Sequence, residues 1–425
     1  MMKLNEVSAL IDFIVSILHL YRDIFITYYM RPTYIDIIRQ DLLHLITGYN
    51  SYHGLINPIN PIIDTHEISE IIDYALSFYH SIFIPERSSG NTYIRLIPNN
   101  EYIKNKIKGL DTFTYTKQRS AEWFDFRNNH LTASNVWKVF FSDSSRNQLI
   151  YEKCKSNNSM NVPQASGPVN LNTPMHWGNK YEPLSIKIYE DRYKTTIKEY
   201  GCIPHSKYHY IAASPDGINV CETSHRYGRM IEVKNIVNRE ITGIPKLEYW
   251  IQMQLQLEVC DLNECDFIET RFVEYLGYTE FIADRDKDTT NKCTDKDYKG
   301  LIMLFMTEDQ SPHYVYAPLI CNDYEKWSEA IMEENTATKR EWVKNIYWKL
   351  ETFSCVLVLR NKTWFRVSVP HIESLWNTIT VEKITGCEHR APQRRKQTTA
   401  TKPFINSDIG VDDNILQGIC LLSLE

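Results

Sequence analysis

Residues 208–237 constrain this chain more than any other stretch, because they pair two strand-like runs with a Pro-Gly break and a regularly spaced set of charges. Ser214-Pro215-Asp216-Gly217 follows an apolar run, so Asp216 is predicted where a strand gives way to a turn. Residues 229–237 read as a second strand. Side chains alternate across a strand, so Glu232 and Lys234 share one face while Ile231 and Val233 share the other. A hairpin of the two strands would bring Asp216 against Glu232. A third acid, Glu182, ends the earlier segment Trp177-Gly178-Asn179-Lys180-Tyr181-Glu182.

Three acids and a lysine in this order suit a divalent cation held beside a phosphodiester. Carboxylate oxygens are hard ligands for Mg²⁺, with Mn²⁺ as a substitute, and the Val233 backbone carbonyl can add to Asp216 and Glu232. Glu182 would hold a second ion or a metal-bound water, so one or two ions are expected. Lys234 would orient the attacking water, or deprotonate it if its pKa were lowered. Taken singly each element has a plainer reading: an E-x-K on a strand is commonly a surface ion pair, and Pro-Asp-Gly is commonly only a turn. Their order gives them weight.

At 425 residues the chain exceeds one ordinary domain, and its 43% apolar and 24% charged residues are those of a water-soluble globular protein. A net charge of −6 counts mildly against a nucleic-acid partner, although a local basic groove is compatible with an acidic exterior. The ten cysteines form no CxxC pair, which suits reduced thiols inside a cell. Cys202, His205, His209 and Cys221 could bridge a zinc, but side chains around a single strand explain them better. Charges interrupt the apolar stretch 8–30, so it reads as neither a membrane span nor a signal peptide.

The fold class expected is α/β in the α+β sense, a central mixed sheet flanked by helices with appendages at both ends. Residues 1–110 read as an α-helical N-terminal region, with Val7, Leu10, Ile14 and Leu18 at helical spacing, and one helical run ending at Gly48-Tyr49-Asn50. Residues 111–335 form the core, with a mobile Pro- and Asn-rich insert at 156–174. Residues 336–388 read as helix, hairpin, helix, with strands at 353–360 and 363–369 around an Asn361-Lys362 turn. Residues 389–425 begin as a basic polar run and read as a flexible tail.

Ala213-Ser214-Pro215-Asp216-Gly217 followed by Ile231-Glu232-Val233-Lys234 resembles the PD-(D/E)xK nuclease superfamily, whose core is restriction-endonuclease-like. More narrowly the chain resembles the YqaJ and lambda-exonuclease group, which includes alkaline exonucleases of large DNA viruses. Four further segments carry that likeness: Glu122 to Arg127 with Trp123, Leu131-Thr132-Ala133-Ser134, Trp177-Gly178 through Tyr181-Glu182, and Tyr249-Trp250-Ile251-Gln252-Met253-Gln254. The resemblance implies that Asp216, Glu232 and Glu182 serve the metals and that Lys234 and Gln252 serve catalysis. It further implies that Arg127, Ser134, Thr132 and Gln254 grip the 5′ phosphate and the DNA. Thr132 is a good N-cap for a helix over 135–140, which would place Ser134 in a phosphate-attracting first turn. On the later helix Tyr249, Gln252 and Gln256 share a face; Gln254 points elsewhere, so Gln252 is the stronger candidate. Pro183, directly after Glu182, implies a helix that starts later or kinks there.

The activity implied is Mg²⁺-dependent, 5′-to-3′ digestion of duplex DNA ends in replication or recombination, in a viral setting. A single-strand annealing protein would be a natural partner, and a homo-oligomer is compatible with the group. No membrane partner is implied, and residence in host cytoplasm or nucleus follows. The alternative is a catalytically inactive DNA-end-binding or recombination scaffold protein.

Overall fold

The structure, a computed structural model, describes residues 2–22, 34–52, 65–83, 87–88, 100–113, 120–155, 170–171, 173–288 and 298–391. Most of the insert at 156–174 and all of the tail beyond residue 391 lie outside the described residues. Contacts divide the chain into two compact units, 1–86 with 138–155 and 361–425, and 87–137 with 156–360. These units do not follow breaks at 110 and 335. The helix Asn100–Asp111 joins the second unit, where Tyr102 Oη donates to Asp261 Oδ2 at 2.9 Å and Lys106 pairs with Asp261 at 2.5 Å.

In the first unit the helices Leu4–Leu20, Tyr34–Tyr52 and Thr65–Phe83 bury Ile14, Leu18, Ile38, Leu42, Ile72 and Tyr79 against one another. Each fully buried aliphatic chain contributes roughly 1.5–3 kcal/mol of transfer free energy, which explains why the three- and four-residue stripes are continuous. The second of these helices continues through Gly48-Tyr49-Asn50 to Tyr52, because a single glycine costs only about 1 kcal/mol in a helix and does not by itself end one. The same unit holds the helices Asp143–Lys155 and Lys362–Thr385. Among the described residues no helix is long and apolar enough to cross a membrane.

The second unit carries the strands β1 (Leu131–Thr132), β2 (Ile197–Lys198), β3 (Ile203–Pro204), β4 (Ile211–Ala213), β5 (Gly217–Asn219), β6 (Met230–Asn235), β7 (Glu264–Glu274), β8 (Lys299–Met306), β9 (Pro312–Tyr316) and β10 (Glu341–Leu359). They form a small sheet β1-β4-β3 and a seven-stranded mixed sheet β2-β5-β6-β7-β10-β8-β9. The pair β6–β7 is parallel, joined by a crossover through the helix Leu247–Cys260, and β7, β10, β8 and β9 are antiparallel neighbours. This is the mixed sheet flanked by helices that the sequence implies.

Two local expectations are corrected. The strand ending at Ala213 does not pair with the strand carrying Glu232; β4 pairs with β1 and β3, and β5, after Asp216, pairs with β6 through Gly217↔Ile231. Pro215 supplies no N–H to extend a ladder, so the chain leaves one sheet there and enters the other. At the far end, Asn361-Lys362 is no hairpin turn. Asn361 Oδ1 accepts from Trp364 N at 2.7 Å and caps a helix, so 363–369 is helical, and only β10 lies before it.

Candidate active site

Strand β6 lies inside the large sheet, with β5 on one side and β7 on the other, and its apolar residues explain the position. Ile231 and Val233 face the helix Pro174–Tyr193, packing with Tyr189 and Ile268. The opposite face presents Glu232 and Lys234 to the helix Leu247–Cys260, as the alternation predicts. Glu232 is 0% exposed, which for a carboxylate demands partners. It has three: Lys234 pairs with Oε1, Gln252 Nε2 donates to Oε1 at 2.7 Å, and Gln256 Nε2 donates to Oε2 at 2.7 Å. The two glutamines are four residues apart on one helix face, so one helix grips both carboxylate oxygens.

Asp216 reaches the same strand from the other edge. Its Oδ2 accepts the Val233 N–H at 2.7 Å. In extended backbone the N–H and C=O of one residue point to the same side, so the Val233 carbonyl also faces Asp216. Burial pushes the Asp216 carboxyl well above the usual range, and the charges of Glu232 and Glu182 push it further. Glu182 is therefore part of this electrostatic cluster. Lys234 moves the other way. Burial opposes its charge, but Glu232 and Asp216 outweigh burial and hold its ammonium above the usual range. In this arrangement Lys234 is an ammonium paired with Glu232.

Glu182 stands on the helix Pro174–Tyr193, which Thr173 caps by accepting from His176 N at 3.1 Å. Pro183 lies inside that helix, so the later start expected from the proline is overturned: Thr173 and Pro174 supply a strong start signal upstream. The proline removes one N–H, that which would have bonded the Asn179 carbonyl. Asn235, at the end of β6, ties strand to helix by donating to Gly178 O at 3.1 Å and accepting from Ser185 Oγ at 2.7 Å.

Arg127, Thr132 and Ser134 also come together. Arg127 Nη2 donates to Ser134 Oγ at 3.2 Å and Thr132 Oγ1 at 3.4 Å, and its guanidinium lies 4.6 Å over the Trp123 ring. Ser134 is exposed and Thr132 is buried. Thr132 occupies the N-cap position of a single turn, Ala133–Val136, without a side-chain capping bond, and its hydroxyl accepts from Arg127 instead. Thr132 pairs with Ala212 across β1 and β4, four residues ahead of Asp216, so the two clusters belong to one framework.

Gln254 does not join either cluster. It is 1% exposed and donates to Leu359 O at 2.9 Å, fastening the helix to the end of β10, so it does not face a ligand. Gln256 is the site residue that the sequence places on the face of Gln252 without singling it out, and its four-residue spacing from Gln252 is the signal that finds it. His205 Nδ1 accepts from Lys207 N at 3.0 Å and Tyr208 N at 3.3 Å, shaping a turn.

The donor set fits a hard cation in one respect and limits it in another. Three carboxylates face one ammonium, burial first and the charges of Glu232 and Glu182 second raise the Asp216 carboxyl, and the oxygens are of the right kind for Mg²⁺. Among the described residues no three His, Cys, Asp or Glu side chains converge closely enough to hold a metal between them. The oxygens nearest one another on the evidence of their bonds and charges are those of Asp216 and Glu232, with Glu182 contributing to the same field.

The site is thus built on a mixed α/β sheet: Glu232 and Lys234 stand on the inner strand β6, Asp216 reaches them from the turn before β5, and Arg127 and Ser134 flank the small-sheet strand β1. Residues 122–263 match the YqaJ-like viral recombinase domain, and the match spans every candidate residue above. "Uncharacterized protein R354" of Acanthamoeba polyphaga mimivirus is 29% identical over 304 residues, covering 64% of this chain and 54% of that protein. The chain thus spans about half the length of that relative. Among solved structures, the alkaline exonuclease LHK-Exo of Laribacter hongkongensis aligns over 62% of this chain and 94% of its own at 18% identity and a TM-score of 0.36. Its complex with dAMP aligns over the same shares at 17% identity and the same TM-score.

Proposed function

We propose that this protein is a Mg²⁺-dependent deoxyribonuclease that digests duplex DNA from a 5′ end. The observation that carries the reading is Glu232: a fully buried carboxylate fixed through both oxygens, beside a second acid whose proton affinity is raised. Burying charge this way is costly for stability, and strongly perturbed acids cluster where chemistry is done.

Asp216, Glu232 and the Val233 carbonyl would hold the cation, with Glu182 supporting a bound water or a second ion. When bound, the ion supplies acidification of water and neutralisation of charge on the phosphorus. The chain's own groups do the rest. Lys234, as an ammonium, orients the nucleophile and offsets charge on the phosphate. Gln252 and Gln256 keep the Glu232 oxygens from rotating. Arg127 and Ser134 form a charged, hydrogen-bonding grip for a 5′ phosphate, with Trp123 holding the guanidinium in plane. A single-strand annealing protein as partner, a homo-oligomer, and residence at a viral replication site in cytoplasm or nucleus extend the same reading.

A second reading, an inactive DNA-end-binding scaffold, is favoured by one observation: both oxygens of Glu232 are already occupied by side-chain donors. Incubation of linear duplex DNA with Mg²⁺ separates the two. Digestion by wild type and none by Asp216→Ala supports hydrolysis, while equal inertness of both leaves the scaffold. Comparing 5′-phosphorylated with 5′-hydroxyl ends, labelled on each strand in turn, tests the polarity.

A further inference from the structure

Past the C-terminal end of β6 the second unit holds a cavity of about 320 Å³. Its walls include Trp177 and Lys180 from the start of the helix Pro174–Tyr193, Asn238 beyond β6, Glu274 at the end of β7, Tyr314 on β9 and Lys344 on β10. Open α/β sheets bind ligands outside the carboxyl ends of their parallel strands, and β6 and β7 are the parallel pair here.

The chemistry of the walls is cationic and prearranged. Lys180 is 6% exposed, pairs with Glu274, and lies 4.3 Å over the Trp177 ring and 4.8 Å over the Tyr181 ring. Its position is therefore set before any ligand arrives. Lys344, exposed on β10, lines the same cavity. Two lysines against one carboxylate leave the cavity short of an anion. The Trp177 indole N–H is buried and has no acceptor, a donor suited to an anionic oxygen.

We propose that this cavity binds a backbone phosphate of the DNA substrate, several nucleotides from the scissile bond. The proposal rests on the nuclease reading for its choice of anion. Asn238 is six residues past Glu232, at most about 20 Å of extended chain. One phosphate recurs every ~3.4 Å of duplex axis on each strand, so the span admits up to roughly six nucleotides between the two sites. A second grip at that distance would hold the strand in register while its end is cut.

The test is equilibrium binding of a blunt duplex to the full chain in EDTA, where no hydrolysis occurs, followed by anisotropy over a KCl series. Lys344→Gln is expected to weaken binding several-fold and to lower the salt slope by about one. Glu274→Gln, which keeps an acceptor for Tyr181 but removes the competing charge, is expected to tighten binding, a result that misfolding does not produce. Lys339→Gln, at an exposed site paired with Glu308, is the control and is expected to change neither quantity. Unchanged affinity and slope in Lys344→Gln, weaker binding in Glu274→Gln, an equal effect in the control, or no binding by wild type would each overturn the proposal. Hydrolysis is assayed separately with Mg²⁺. Absence of cleavage with the expected binding pattern overturns the nuclease reading and leaves the phosphate site standing.

Discussion

The backbone N–H of Val233 donates to Asp216 Oδ2 at 2.7 Å, so a turn residue from between two sheets is fastened to the strand that carries Glu232 and Lys234. That bond, with the carbonyl facing the same way, makes three separate oxygen donors into one arrangement. Each consequence can be measured.

Substituting Asp216→Asn or Glu232→Gln is expected to lower single-turnover digestion of linear duplex DNA by about 1000-fold or more, because neither amide can carry the anionic charge a cation requires. Circular dichroism checks that the fold survives. Retention of more than a tenth of wild-type activity in both variants would sink the assignment.

The metal-free protein is expected to gain stability from Asp216→Asn even as activity is lost. The folded-state pKa of Asp216 is raised, so folding favours the protonated acid, and that contribution fades as pH rises through the folded pKa. At neutral pH in EDTA the variant should melt higher than wild type, with each kcal/mol giving roughly 2–4 °C. The gap should close as pH falls towards the ordinary aspartate range. A variant that melts lower at neutral pH refutes the electrostatic account.

Added Mg²⁺ should stabilise wild type by about 2.7 kcal/mol at a hundred times its dissociation constant, raising its melting temperature, and leave Asp216→Ala unmoved. Differential scanning fluorimetry in a Mg²⁺ series reads this directly, without reference to catalysis.

Gln256→Ala removes the donor to Glu232 Oε2 from a wholly buried site. Loss of a hydrogen bond to a buried charge costs about 1.5–3 kcal/mol, so the urea midpoint should fall measurably. Gln256→Glu should do more harm, since it sets a second buried carboxylate against the first.

Arg127→Ala is expected to abolish the preference for 5′-phosphorylated over 5′-hydroxyl ends while sparing most activity on the latter. Ser134→Ala should reduce that preference less, since it removes one hydroxyl and no charge. Rates on matched substrates decide it.

The chain itself determined the ingredients: which residues carry charge, the alternation that puts Glu232 and Lys234 on one face, and the helical spacing that aligns Gln252 with Gln256. Those follow from local geometry, two residues per strand repeat and 3.6 per helical turn, and need no distant contact. Which strands pair, and therefore why Asp216 reaches β6 from β5 and not from β4, was settled by tertiary structure, because pairing joins residues whose separation in sequence carries no signal. Packing likewise took Gln254 inward to Leu359, turned 363–369 into helix behind the Asn361 cap, and set Lys234 against Glu232. Burial and the field of neighbouring acids are properties of the assembled site, and no linear pattern encodes them.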